Sequence, residues 1–207
     1  WFASALITDL SIAAALCLTA FTIWELRRAD PIVDLRLLGT RNFAVGNLLM
    51  LMLGFVLLGS TVLLPEFVQV MLGYTAEDAG LVISPGGFAV MFLMPVVGML
   101  VTRVDARWLI ALGLLANAFA LYRMGSFDLQ VDYWTIAWAR VYQSFGLAFL
   151  FIPINTVAYY GLAADKSNNA SAIINMTRNI GGSLGISMAT TLLARRTQTH
   201  QAILVQH

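Results

Sequence analysis

Arg140 and Arg178 fall inside the long apolar runs 134–158 and 171–194. An ionised side chain in a bilayer costs on the order of 3 kcal/mol or more unless it is paired, hydrated or able to reach the interface. At 100° per helical residue, Gln143 lies about 60° to one side of Arg140 and Asn155 about 60° to the other, so all three share one helix face. Pro153 sits between the two amides and removes one backbone hydrogen bond, which bends the helix and frees a carbonyl. This polar, bent face has two readings: it lines a hydrated path, or Arg140, some six residues into the run, reaches the outer interface along its aliphatic stem. Ser171, Asn175, Arg178, Gly182 and Gly185 cluster within about 60° of Arg178 on the next run. For Gly181, Gly182 and Gly185, close helix packing is the plain reading, because small residues let backbones approach in lipid. Arg178 sits deeper than Arg140 and reads as cavity-facing or paired. Asn47, Gly54, Thr61 and Pro65 form a weaker stripe, read as packing.

The acids are placed differently. Asp9 and Glu66 stand near the outer ends of their runs, and no Asp or Glu stands mid-run. Glu66 is a candidate for an outer gate or a cation contact. His200 and His207 lie beyond the last run, and Cys17 is the single cysteine, so no metal-ligand cluster and no nucleophile–base pair is expected. The chain does not read as an enzyme.

The elements that must hold these residues follow from composition. The 207 residues are 59% hydrophobic and 11% charged, with mean hydropathy +0.80; a soluble domain is about 25% charged. A hydrocarbon core about 30 Å thick needs roughly 20 apolar residues per helix, and six stretches qualify, at 5–24, 44–64, 79–101, 108–125, 134–158 and 171–194. The expected fold is therefore an all-α polytopic transmembrane bundle in the lipid bilayer. A net charge of +1 without a basic run excludes a nucleic-acid surface. Thr75 followed by Asp78 predicts a capping box opening the third helix. Basic residues favour the cytoplasmic side: Arg27, Arg28, Arg36, Arg41, Arg103, Arg107 and Lys166 mark one face, against Arg123, Arg195 and Arg196 on the other. The loops at 25–43, 102–107 and 159–170 are thus expected in the cytoplasm.

These residues resemble a known family, the major facilitator superfamily, and within it the fourteen-helix drug:proton antiporters of the EmrB/QacA type. Trp24-Glu25, then Pro31-Ile-Val-Asp-Leu-Arg36 and Arg41-Asn42-Phe43, look like that family's link between its extra central helices and its C-terminal domain. Gly73-Tyr74-Thr75-Ala76 leading to Ala79-Gly80 and Pro85 is similar to the opening of its next helix pair. Arg140-Val-Tyr-Gln143-Ser-Phe-Gly146 looks like an echo of its Arg-x-x-Gln-Gly motif, with Ser144 in place of a glycine. Asn168-Asn-Ala-Ser171, Asn175, Arg178 and Gly181-Gly-Ser-Leu-Gly185 resemble its penultimate helix. Gly98-Met-Leu-Val-Thr-Arg103-Val-Asp105-Ala-Arg107 resembles a degraded copy of its cytoplasmic loop motif, with Thr102 replacing an Asp; a retained charge relay would use Arg103, Asp105 and Arg107, and a solvated turn is the alternative.

The resemblance implies that 1–26 is an extra central helix, the eighth of fourteen, and 27–43 a cytoplasmic linker. Residues 44–194 would be five helices of the C-terminal six-helix domain, and 195–207 the start of an extracytoplasmic loop truncated before the last helix. It also implies proton-coupled export of amphipathic or cationic compounds from the bacterial cytoplasmic (inner) membrane by alternating access, with Arg140, Gln143, Asn155, Asn175 and Arg178 facing an inter-domain cavity. The proton gradient would supply the energy with no other cofactor, and a periplasmic adaptor would join the assembly in a Gram-negative organism. A symporter, an exporter of another solute class and a membrane scaffold are the alternatives.

Overall fold

In a computed structural model, which describes residues 5–28, 31 and 33–205, the chain folds as six α-helices. They are α1 (Ala5–Arg27), α2 (Arg41–Leu72), α3 (Ala76–Leu100), α4 (Ala106–Gly125), α5 (Tyr133–Tyr159) and α6 (Ser167–Val205), with no strand among the described residues. The first five are long and apolar enough to cross a membrane. The sixth expected span departs from this. Residues 171–194 lie within a 39-residue helix that is not among those five, because Asn175, Thr177, Arg178 and Asn179 dilute its apolar residues. The helix also runs on to Val205, where a loop is expected from 195.

Local chemistry sets the boundaries. α2 extends eight residues past its expected end, through Pro65, and stops where Gly73 takes φ 71, a left-handed conformation that glycine adopts at little cost. At the start of α3, Thr75 Oγ1 accepts from the Asp78 backbone N–H at 3.1 Å, as a capping box requires. The return contact differs: the Thr75 hydroxyl donates to Asp78 Oδ2 at 2.7 Å. Ahead of α5, the Thr135 hydroxyl donates to Asp132, and this bond holds that exposed carboxyl below the ordinary carboxylate range.

α5 is the most buried of the five apolar helices. It is flanked by α3 and α4, while α2 packs against it and, most extensively, against α6. In lipid such packing is driven by close van der Waals contact and interhelical hydrogen bonds rather than by expulsion of water. α1 stands apart: of its described side chains only Glu25 is buried.

The segment between α1 and α2 is an ordered clamp. A 3₁₀ turn at Leu35–Gly39 inserts Leu37 into the core cluster of Phe43, Ala158, Ala170 and Ile173. Glu25 Oε1 accepts from the Val33 backbone N–H, Arg36 donates to the Leu26 carbonyl at 3.0 Å, and Lys166 Nζ meets Asp34 Oδ2 at 2.9 Å. The last pair ties the clamp to the α5–α6 connection. A half-exposed pair of this kind is worth about 1 kcal/mol at most. Lys166→Glu should therefore lower the melting midpoint of the full-length protein by a few degrees, about 1 kcal/mol, and adding Asp34→Lys should recover most of the loss; a scanning fluorimetry series checks this.

Candidate functional site

Arg140 is 8% exposed and Gln143 fully buried, both on the inward face of α5. Arg140 is the eighth residue of its helix, and its side chain turns toward α2 instead of running out to the interface. The guanidinium donates through one nitrogen to Gln143 Oε1 at 2.5 Å and to Ser60 Oγ at 3.3 Å, and through the other to Thr61 Oγ1 at 3.1 Å. Gln143 Nε2 donates to Ser60 Oγ at 2.8 Å. Ser60 and Thr61 both pass their own protons to the Leu57 carbonyl, so their oxygens are turned to receive. The result is a closed ring of hydrogen bonds joining α2 to α5.

Gly86 on α3 completes the enclosure. A Cβ there would come within 2.7 Å of both Arg140 Cγ and Ser144 Oγ, so α3 can close on the arginine stem only with glycine at that position. Nothing in the sequence marks Ser60 or Gly86 as partners of Arg140. Thr61, in the stripe read as packing, also bonds its own i−4 carbonyl, as a hydroxyl inside an apolar helix normally does. The Ser144 replacement also has a use, since its hydroxyl occupies the space between α3 and α5 beside Gly86.

The other expected site residues do not join this ring. Asn155 is half-buried and donates to the Phe151 carbonyl one turn back; Asn175 is exposed and donates likewise to the Ser171 carbonyl. Arg178 is half-buried, with its guanidinium 5.7 Å from the centre of the Phe151 ring, a cation–π distance. Arg140 and Gln143 are thus enclosed between helices, whereas Asn155 and Asn175 each bond only within their own helix and Arg178 reaches α5 through Phe151. The helical wheel places residues around an axis but not along it, and Asn155 lies 15 residues, about 22 Å, beyond Arg140.

Gly181, Gly182 and Gly185 are all buried. A Cβ on Gly181 would overlap the Leu51 carbonyl, one on Gly185 the Phe55 carbonyl, and one on Gly182 the Leu58 side chain. Gly54 of α2 answers across the seam, where a Cβ would overlap the Arg178 carbonyl. The backbones of α2 and α6 are thus in direct contact, and Arg178 is held by its main chain as well as by its ring partner.

Glu66 is half-buried in the last turns of α2 and, among the described residues, has no hydrogen-bond or ion-pair partner. The charge relay considered for the loop after α3 does not form. Asp105 caps α4 by accepting from the Arg107 backbone N–H at 3.1 Å, while among the described residues the exposed side chains of Arg103 and Arg107 pair with no carboxylate, and a Cβ on Gly98 would meet open space. The cap satisfies the carboxylate locally. Among the described residues no group of three or more His, Cys, Asp or Glu is placed to hold a metal ion. One further polar residue went unnoticed: Asn117 on α4, 6% exposed, with neither amide atom hydrogen-bonded, beside a cavity of about 60 Å³ lined by Leu53, Val56, Leu114 and Leu150.

A family model described as the Major Facilitator Superfamily matches residues 5–186. The chain is similar to "Fatty acid resistance protein FarB" of Neisseria gonorrhoeae, at 35% identity over all of this chain and 41% of that protein. To "Multidrug export protein EmrB" of Escherichia coli (strain K12) it is 34% identical over all of this chain and 40% of the relative. "Probable multidrug resistance protein EmrY" of the same strain is 33% identical over 98% of this chain and 40% of its own length. The chain spans about two fifths of the length of these curated relatives.

Proposed function

The chain belongs to the Major Facilitator Superfamily, and on that premise we propose that it forms part of a multidrug efflux transporter which exports amphipathic or cationic compounds by alternating access. Relatives named for multidrug export and for fatty acid resistance, aligned over essentially the whole of this chain, support the reading. The observation that carries it is the pair of arginines held inside an apolar, multi-pass bundle: Arg140 in its hydrogen-bonded ring and Arg178 beside Phe151. A bilayer protein with no task for an interior charge has little reason to retain two. The work is transport rather than catalysis in this reading. Small-molecule substrates and protons are the partners, the proton gradient is the energy source, and the bacterial cytoplasmic membrane is the location, with a periplasmic adaptor in a Gram-negative cell.

Arg178→Ala in the full-length protein tests the reading. Its backbone seat against Gly54 does not depend on the side chain, so abundance should stay near wild type. Efflux of a fluorescent substrate from loaded cells should fall about tenfold, as for loss of one charge-assisted contact. Unchanged efflux would remove Arg178 from the mechanism.

A further inference from the structure

We infer that the Arg140 ring is a receptor for a carboxylate. Every hydrogen-bond partner of this buried guanidinium is neutral: two hydroxyls and an amide. A cation taken out of water is retained at low cost only when an anion shares its enclosure, and nothing in the ring supplies one. The acid nearest in sequence to the α2 partners, Glu66, makes no ion pair; Asp132, ahead of α5, is occupied by Thr135. No Asp or Glu lies in the middle of any helix that packs around Arg140.

The ring is also open on one side. Ser60, Gln143 and Gly86 close it within the bundle, but Thr61, which accepts from the second guanidinium nitrogen, is exposed. An acid approaching past Thr61 would meet a planar donor already oriented by its three partners. Gly86 fixes the arginine stem from behind, so the site is set in place before the acid arrives. With both Nη1 hydrogens and one Nη2 hydrogen engaged, the Nε–H and the second Nη2 hydrogen remain, and that side edge of the guanidinium matches the two oxygens of a carboxylate. The acid has two sources: an amphipathic carboxylic acid among the exported compounds, or an Asp or Glu from another part of the full-length protein. The first rests on the transport reading above; the second does not.

The experiment uses the purified full-length protein with decanoate and tetraphenylphosphonium as probes, read by melting midpoint and by equilibrium binding. Decanoate should stabilise the wild type. Arg140→Gln should weaken its binding about tenfold, with tetraphenylphosphonium binding unchanged. Gln143→Glu places a carboxylate of the same shape against the guanidinium; it should raise the melting midpoint and abolish decanoate binding, and it remains informative if Arg140→Gln does not fold. If the wild type ignores decanoate, the acid is the protein's own. Arg140→Gln then lowers the melting midpoint, and neutralising one Asp or Glu elsewhere in the chain restores it. Where the wild type binds decanoate, equal binding by either variant or parallel loss of both probes in folded protein would overturn the inference; where it does not, the lack of a restoring acid would. Failure of cells to export any compound would remove the transport reading and leave the binding result standing.

Discussion

Gly54→Ala and Gly181→Ala should each leave little folded protein to extract from the membrane. The added methyl group does not meet a flexible side chain that can move away. It meets a carbonyl, of Arg178 in the first case and of Leu51 in the second, and each carbonyl is fixed in its own helix. Relief therefore requires the two helices to separate, and separation forfeits the whole of the most extensive interhelical contact in the bundle. Overpacking a tight interior costs about 1–3 kcal/mol where side chains can adjust; with backbone against backbone the cost should reach or exceed the upper end, against a total stability of about 5–15 kcal/mol. Gly87→Ala is the matched control, since its Cβ enters open space and alanine favours helix. Size-exclusion profiles and melting midpoints of the three variants in the full-length protein check the claim. A monodisperse Gly181→Ala protein with an unshifted midpoint would refute the direct backbone contact.

Gln143→Leu should be the most damaging change of similar size in α5. It removes the acceptor of an arginine proton and the donor to Ser60 in a single step, at a fully buried position. Removing one partner of a buried charged group costs about 1.5–3 kcal/mol, and here the charge left behind is enclosed by Gly86 and two hydroxyls. A loss of about 3 kcal/mol, with efflux falling in parallel, is the expected result. Ser60→Ala removes one of the guanidinium's three acceptors and should cost about half as much. Adding Ser60→Ala to Gln143→Leu should then cost less than the sum of the two, because both act on one network. Denaturation of the purified full-length variants measures all three quantities.

Much of this arrangement was legible in the amino acids, and what was missed follows a rule. The helices are visible because a bilayer demands runs of about 20 apolar residues. Thr75 and Asp78 announce a helix start because a cap is a local event. Arg140 and Gln143 could be paired because they lie one turn apart on one helix. Ser60 and Thr61 could not be found in this way, being some 80 residues away in sequence; a hydroxyl in a helix carries no mark of which distant group it will serve. Gly54 and Gly181 illustrate the same limit. Each was visible as a small residue suited to packing, but that they face each other's helices across one seam depends on a contact no local pattern encodes. Asn155 shares a sector of the helical wheel with Arg140 but stands outside the ring, because a wheel of angles omits the length of the helix.

The α2–α6 seam also sets an order of assembly. α3 and α4 can each dock on α5 as soon as it is made, since both pack against it and precede it closely in the chain. α2 can dock on α5, but its larger seam must wait, because the glycine partners it needs at 181–185 are made last of all the described helices. Contacts between distant parts of a chain close slowly, and an unfinished surface held open during synthesis is where membrane proteins become vulnerable to capture and degradation. Mutations at Gly54 should therefore be felt first by the cell's quality control, as shortened lifetime of the newly made chain.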